Sequence, residues 1–165
     1  DVPHRVAIIG GASGSGLDRP TELADQAAEL GIAGRVEFLS TVTHAELADW
    51  YARAAVVCVP SYNESFGLVA IEAQACGTPV VAAAVGGLTT AVVDQVTGTL
   101  VDGHDPADYA EAIRPSLTDS VLRAEVGAKA VRHAESFGWD ATAERTLATY
   151  QAAMRSNLQE RESAR

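Results

Sequence analysis

The sequence is short of the residues that would mark a metal protein, a disulfide-built domain or a nucleic-acid binder. Only two cysteines occur in 165 residues, Cys58 and Cys76. Their spacing fits no zinc or redox motif, and small apolar core residues are the plain expectation for both. The histidines, His4, His44, His104 and His133, are scattered, with no pairing at metal-ligand spacing, so neither a metal site nor a Ser/His/Asp triad is suggested. Basic residues are scarce too: 12 Lys and Arg stand against 22 acids, a net charge of −10. No basic cluster interrupts that field, so nucleic-acid binding is disfavoured and any phosphate must be held locally. Long apolar runs are missing as well. None approaches the roughly 18 residues that a membrane crossing needs, and the start, DVPHRVAIIGG, lacks a signal-peptide pattern. The expectation is a cytoplasmic protein with no membrane partner.

What is present is enough apolar residue, 47%, for one substantial core. A single domain over 1–158 is expected, with a polar tail at 159–165. RVAIIGG (5–11) reads as a fully buried strand closed by two glycines. RPTELADQAAELG (19–31) has helical spacing, with Leu23, Ala27 and Leu30 on one face and Gly31 as its stop. RVEFLS (35–40) is a second strand. In THAELADWYARA (43–54) Thr43 and Glu46 form a capping box, and Leu47, Trp50 and Tyr51 an apolar stripe. AVVCVP (55–60) is a third strand, GLVAIEAQAC (67–76) a helix, and TPVVAAAVGG (78–87) a fourth strand opening onto a diglycine.

TAVVDQVTG (90–98) and TLVDG (99–103) supply a short helix and a fifth strand. Asp105, Pro106 and Asp108 mark a helix start. One further helix is expected over about 119–136, and Asp140 is expected to cap the last. Short apolar strands alternating with helices predict an α/β fold, a Rossmann-like doubly wound parallel sheet. Ligands of such sheets bind beyond the strands' carboxyl ends, so the loops at 10–16, 40–43, 61–67 and 84–89 should share one rim.

Two stretches on that rim invite a ligand. GGASGSG (10–16) includes Gly11 and Gly16 at the spacing of a Walker loop, but Leu17 follows where lysine is needed, and no G-x-G-x-x-G register fits. A flexible turn and a loop admitting close backbone approach both stay open. PSYNESFGLVAIE (60–72) places Glu64 just before a helix and Glu72 inside it. An acid in a first turn merely stabilises its own helix by about 0.3–1 kcal/mol, which accounts for Glu64. Glu72 is different, because its neighbours Leu68, Val69, Ala70, Ile71, Ala73 and Ala75 are apolar. A carboxylate in such company needs a partner, and a vicinal diol such as a ribose offers two donors. Gly67 permits close approach, and the amides of Gly67, Leu68 and Val69 are first-turn donors suited to phosphate.

PSYNESFGLVAIEAQACGTPVVAAAVGGL, with RVEFLS before it and TGTLVDGHDP after it, resembles the nucleotide-binding half of the retaining GT-B glycosyltransferases of the group 1 type, which share an E-x7-E motif. The similarity spans essentially the whole chain. GGASGSGLDRP and DGHDPADYA look most like the actinobacterial inositol-phosphate N-acetylglucosaminyltransferases that open mycothiol synthesis. The resemblance implies the C-terminal half of a GT-B fold lacking its first strand. It also implies a UDP-sugar as donor substrate, transfer to an alcohol with retention, and no cofactor required for the chemistry. By the same resemblance Glu64, the catalytic-site acid, contacts the donor sugar with Phe66 and Gly67 beside it. Leu68 and Val69 give their amides to the diphosphate, Glu72 holds the ribose diol, and the loop around Val42 presents backbone groups to uracil.

Thr89 stands where the family usually has Pro. Some relatives hold a peripheral, non-catalytic Mg²⁺ near the positions of Tyr51, Ala52, Ala54 and Thr78. The family's Arg/Lys strand and its N-terminal acceptor domain are not in this sequence, so the chain is expected to be inactive alone; a homodimer is one arrangement open to the full-length enzyme. Donor domains of other GT-B transferases, a UDP-sugar epimerase and a non-catalytic nucleotide-binding module remain the rivals.

Overall fold

The computed structural model describes residues 2–10 and 21–163, and from 158 onward the backbone alone. Strand β1 (Val6–Ile9) pairs in parallel with β2 (Val36–Leu39), Val6 lying opposite Val36. Helix α1 (Glu22–Glu29) and a 3-10 turn at Ala33–Arg35 come between them. A second sheet holds β3 (Val57–Val59), β4 (Val80–Ala83) and β5 (Gly98–Val101), parallel and in that order. Val57 is opposite Val80, and Val80 opposite Gly98. The remaining helices are α2 (His44–Arg53), α3 (Leu68–Ala75), α4 (Leu88–Ala91), α5 (Pro106–Thr118), α6 (Ser120–Glu135) and α7 (Trp139–Ser163). None of the described helices is long and apolar enough to cross a membrane.

The core forms around β4, whose four residues, Val-Val-Ala-Ala, are all buried. A strand covered on both faces reads as an unbroken apolar run, not an alternating one. Ala70, Ile71 and Ala73 of α3, Leu88 and Ala91 of α4, and Tyr109 of α5 join the same cluster. Among the described residues nothing before Leu47 belongs to it. This corrects the expectation of a fully buried first strand: Val6 is 40% and Ile8 37% exposed. Their apolar character is that of an inner strand, yet among the described residues β1 pairs along one edge only, and no described strand joins the two sheets. The described strands thus form two parallel blocks, β1-β2 and β3-β4-β5.

Local signals account for three helix starts, those of α2, α5 and α6. Thr43 and Glu46 make the reciprocal capping box, the Thr43 amide donating to Glu46 at 2.8 Å. Asp105 caps α5 by accepting from the Ala107 amide, with Pro106 at the first helical position. Asp119 caps α6. Asp140, expected as a cap, lies instead inside the first turn of α7, because the helix already starts at Trp139. That helix keeps its form through the polar residues up to Ser163.

The short helix expected from TAVVDQVTG ends at Ala91. Beyond it the Thr97 hydroxyl accepts from the Val93 amide and the Asp94 carboxylate from the Leu100 amide. Side chains of this kind compete with the helical ladder for backbone donors.

Candidate functional site

The loop after β3 turns into α3 at Gly67, whose φ of +86° is left-handed. A Cβ there would meet the Ala91 methyl at 3.0 Å and Leu88 Cδ2 at 3.1 Å, so backbone conformation and packing both call for glycine. Glu64 folds back over this turn. One of its carboxylate oxygens, Oε1, accepts from the amide of Phe66 at 3.3 Å and from that of Gly67 at 3.2 Å. The Gly67 amide is therefore occupied, a correction to its expected place among the free first-turn donors. Leu68 and Val69 follow with amides that have no hydrogen-bond partner among the described residues, and their side chains are 59% and 44% exposed. An open first turn of this kind presents donors and the positive end of the helix dipole to an anion.

Glu72 lies further along α3 and is half-buried. The Tyr51 phenol of α2 donates to its Oε2 at 3.3 Å. The two side chains line a groove of about 230 Å³ between α2 and α3, together with His44, Leu47 and Cys76. Burial, reinforced by the negative charge of Glu72, pushes the Tyr51 phenol up to about 12. The Cys76 thiol moves up for the same two reasons. The described partner of Glu72 is thus a neutral hydroxyl, which leaves the carboxylate's charge uncompensated beside open space. The half-buried Val42 sits in the loop after β2, which runs directly into His44 at the groove.

Phe66, 53% exposed, sets its ring edge-on to Phe137 at 6.2 Å, and Phe137 in turn meets His133 at 5.1 Å. On its other side the Glu64 loop rests on the diglycine after β4, where the Gly87 amide donates to the Glu64 carbonyl at 2.8 Å. The structure therefore brings Glu64, Phe66, Gly67, Leu68 and Val69 together at one helix end, with Glu72 facing the adjoining groove. Two contacts went unread in the sequence. Tyr51, placed on an apolar stripe and near a peripheral cation, meets Glu72 through its phenol, and the diglycine, placed on the ligand rim, meets the Glu64 loop. The only signal for the first was a phenol on the same helix as the capping box; for the second there was the doubled glycine itself. The loop GGASGSG lies outside the described residues from Gly11 to Gly16.

Among the positions tied to a peripheral cation, Tyr51 and Thr78 do meet. The Thr78 hydroxyl donates to the Tyr51 carbonyl at 2.6 Å, and the Ala54 amide donates to the same oxygen at 3.0 Å. Both lone pairs of that carbonyl are thereby used, and no carboxylate stands among Tyr51, Ala52, Ala54 and Thr78. As arranged, the Tyr51 carbonyl is taken up by protein donors and is not a free oxygen of the kind a magnesium ion favours. The cysteines also depart from expectation, since neither is fully buried. Cys58 lies on β3, an edge strand among the described residues, and is exposed as a residue; burial of the thiol itself still pushes it up to about 11.

Comparison with known proteins gives this geometry a family. Residues 2–133 match the family Glycosyl transferases group 1. A D-inositol 3-phosphate glycosyltransferase of Kribbella flavida is 57% identical over 148 residues, covering 90% of this chain and 35% of that protein. The chain spans about a third of the length of the curated relatives it matches. Among solved structures, sucrose-phosphate synthase from Thermosynechococcus elongatus superposes with a TM-score of 0.79 at 36% identity, over 91% of this chain and 38% of that one. Anabaena Alr3699/HepE in complex with UDP-glucose also gives 0.79, at 28% identity, over 90% of this chain and 41% of that one. Sequence, fold and helix-end geometry agree: the chain belongs to the glycosyl transferases group 1 family.

Proposed function

We propose that this chain is the nucleotide-sugar-binding half of a retaining glycosyltransferase that takes UDP-N-acetylglucosamine as donor and passes the sugar to an inositol phosphate. The observation that carries the proposal is the first turn of α3, with free amides at Leu68 and Val69, an anchored acid at Glu64 and a second acid, Glu72, facing the groove. In this reading the diphosphate lies against the two amides, where hydrogen bonds and helix dipole act together. Glu72 takes the ribose hydroxyls with the capacity that Tyr51 leaves free. Glu64 spends Oε1 on its own loop and offers Oε2 to the sugar, with Phe66 and Gly67 beside it. The loop around Val42 receives the base. The inositol-phosphate acceptor is suggested by the named relatives, and the UDP-sugar donor by the UDP-glucose complex of the Anabaena protein.

Catalysis in the intact enzyme would rest on orientation and on charge stabilisation of the departing diphosphate, with the leaving phosphate itself taking the acceptor proton. Neither a protein nucleophile nor a metal is assigned a step. The chain by itself is proposed to bind donor without turnover, since it spans only about a third of the length of the curated relatives. Calorimetry tests this: UDP and UDP-N-acetylglucosamine should bind the folded chain, and Glu72→Ala should weaken both by about 1–3 kcal/mol, the cost of losing a charged hydrogen-bond partner. Absence of UDP binding to folded protein would remove the proposal's support.

A further inference from the structure

The loop that carries Glu64 and the turn after β4 meet with no side chain between them. A Cβ on Gly86 would lie 2.1 Å from the Glu64 carbonyl oxygen, and one on Gly87 would lie 2.5 Å from Phe66 Cα. No side chain fits either contact, and Gly86 also has a left-handed φ of +47°. The Gly87 amide closes the contact by donating to the Glu64 carbonyl at 2.8 Å. Glu64 is thus fixed twice, by its carbonyl on Gly87 and by its carboxylate on the amides of Phe66 and Gly67. Backbone bonds such as Leu88 amide to Val85 carbonyl at 3.1 Å and Ala91 amide to Gly87 carbonyl at 2.9 Å frame the turn, and the side chain that ties it is Thr89. Its hydroxyl donates to the Gly86 carbonyl at 2.8 Å, and its amide reaches the same oxygen at 3.3 Å. Thr89 is an exposed residue in the first turn of α4, so the hydroxyl is not there to fill the core.

We propose that Thr89 is a positioning residue of the donor site: its hydroxyl fixes the Gly86 carbonyl, which holds the diglycine turn so that the Gly87 amide sets Glu64 against the start of α3. The inference deepens the proposed function and rests on it for the ligand part of the test. Thr89 acts through the turn, and its consequence falls on the sugar end of the donor, where Glu64 works. The amides of Leu68 and Val69 depend on α3 itself.

The test compares the wild-type chain with Thr89→Val and Thr89→Ser. In the unliganded chain, Thr89→Val should raise hydrogen exchange of the Gly87 and Gly67 amides by about 2- to 12-fold, the range for one hydrogen bond, and Thr89→Ser should restore wild-type protection. Calorimetry should show Thr89→Val weakening UDP-N-acetylglucosamine by about 2- to 12-fold while UDP stays within about twofold, within ordinary additivity error, again with rescue by serine. Unchanged exchange at Gly87 in Thr89→Val overturns the proposal. Equal weakening of both ligands without serine rescue overturns it as well. If the wild-type chain binds neither ligand, the donor-site reading fails, and the exchange measurement still decides whether Thr89 holds the turn.

Discussion

Single residues here carry constraints that can be separated by measurement. Gly67 combines a left-handed backbone with methyl contacts at 3.0 and 3.1 Å, so Gly67→Ala should cost about 1–3 kcal/mol in denaturant unfolding. Tyr51 is held neutral by burial and by Glu72, up to about 12. A phenol whose folded value is raised adds stability that is complete below its unfolded value near 10 and is lost as pH climbs through the folded value. Stability should therefore fall between about pH 10 and about pH 12, and Tyr51→Phe should flatten that part of the profile; thermal melts across the range check it. Tyr51 also shows what a sequence hides. Its place on an apolar stripe was legible, since helical spacing fixes which residues share a face. That its hydroxyl would meet an acid 21 positions away depends on how α2 and α3 pack, and no local pattern encodes that.

At the level of elements, most of the order could be read in advance because each strand is a short apolar run and several helices begin with their own cap. Thr43 and Asp105 behave as their residue types require, and Thr43→Ala should lower stability by about 1 kcal/mol through loss of the capping box. A calorimetric melt would register it. Extents were legible less well. The segment after Ala91 failed as a helix because Asp94 and Thr97 spend their oxygens on nearby amides, a competition that propensity alone does not resolve. The two acids were already told apart in the sequence, Glu64 as a helix-start acid and Glu72 as the one needing a partner, whereas the contacts each makes were not legible there. Glu64 proved to bind its own loop, and Glu72 alone faces the groove. The contact between the Glu64 loop and the diglycine joins segments about twenty residues apart, and only the close approach of two backbones reveals it.

For the molecule as a whole, the parallel order of the sheet follows from β-α-β alternation, whereas its division into two blocks could not be read from strand patterns. The apolar sequence of β1 suits a strand enclosed on every side, and among the described residues it has β2 on one flank and nothing hydrogen-bonded on the other. Backbone donors and acceptors left in a row recruit other chains. Sedimentation at rising concentration should therefore show dimers and larger species, and Ile8→Lys should keep the protein monomeric by placing a charge where a neighbouring chain would stack. A monomer that stays monomeric at every concentration would mean that solvent alone is enough to quench the strand's adhesiveness.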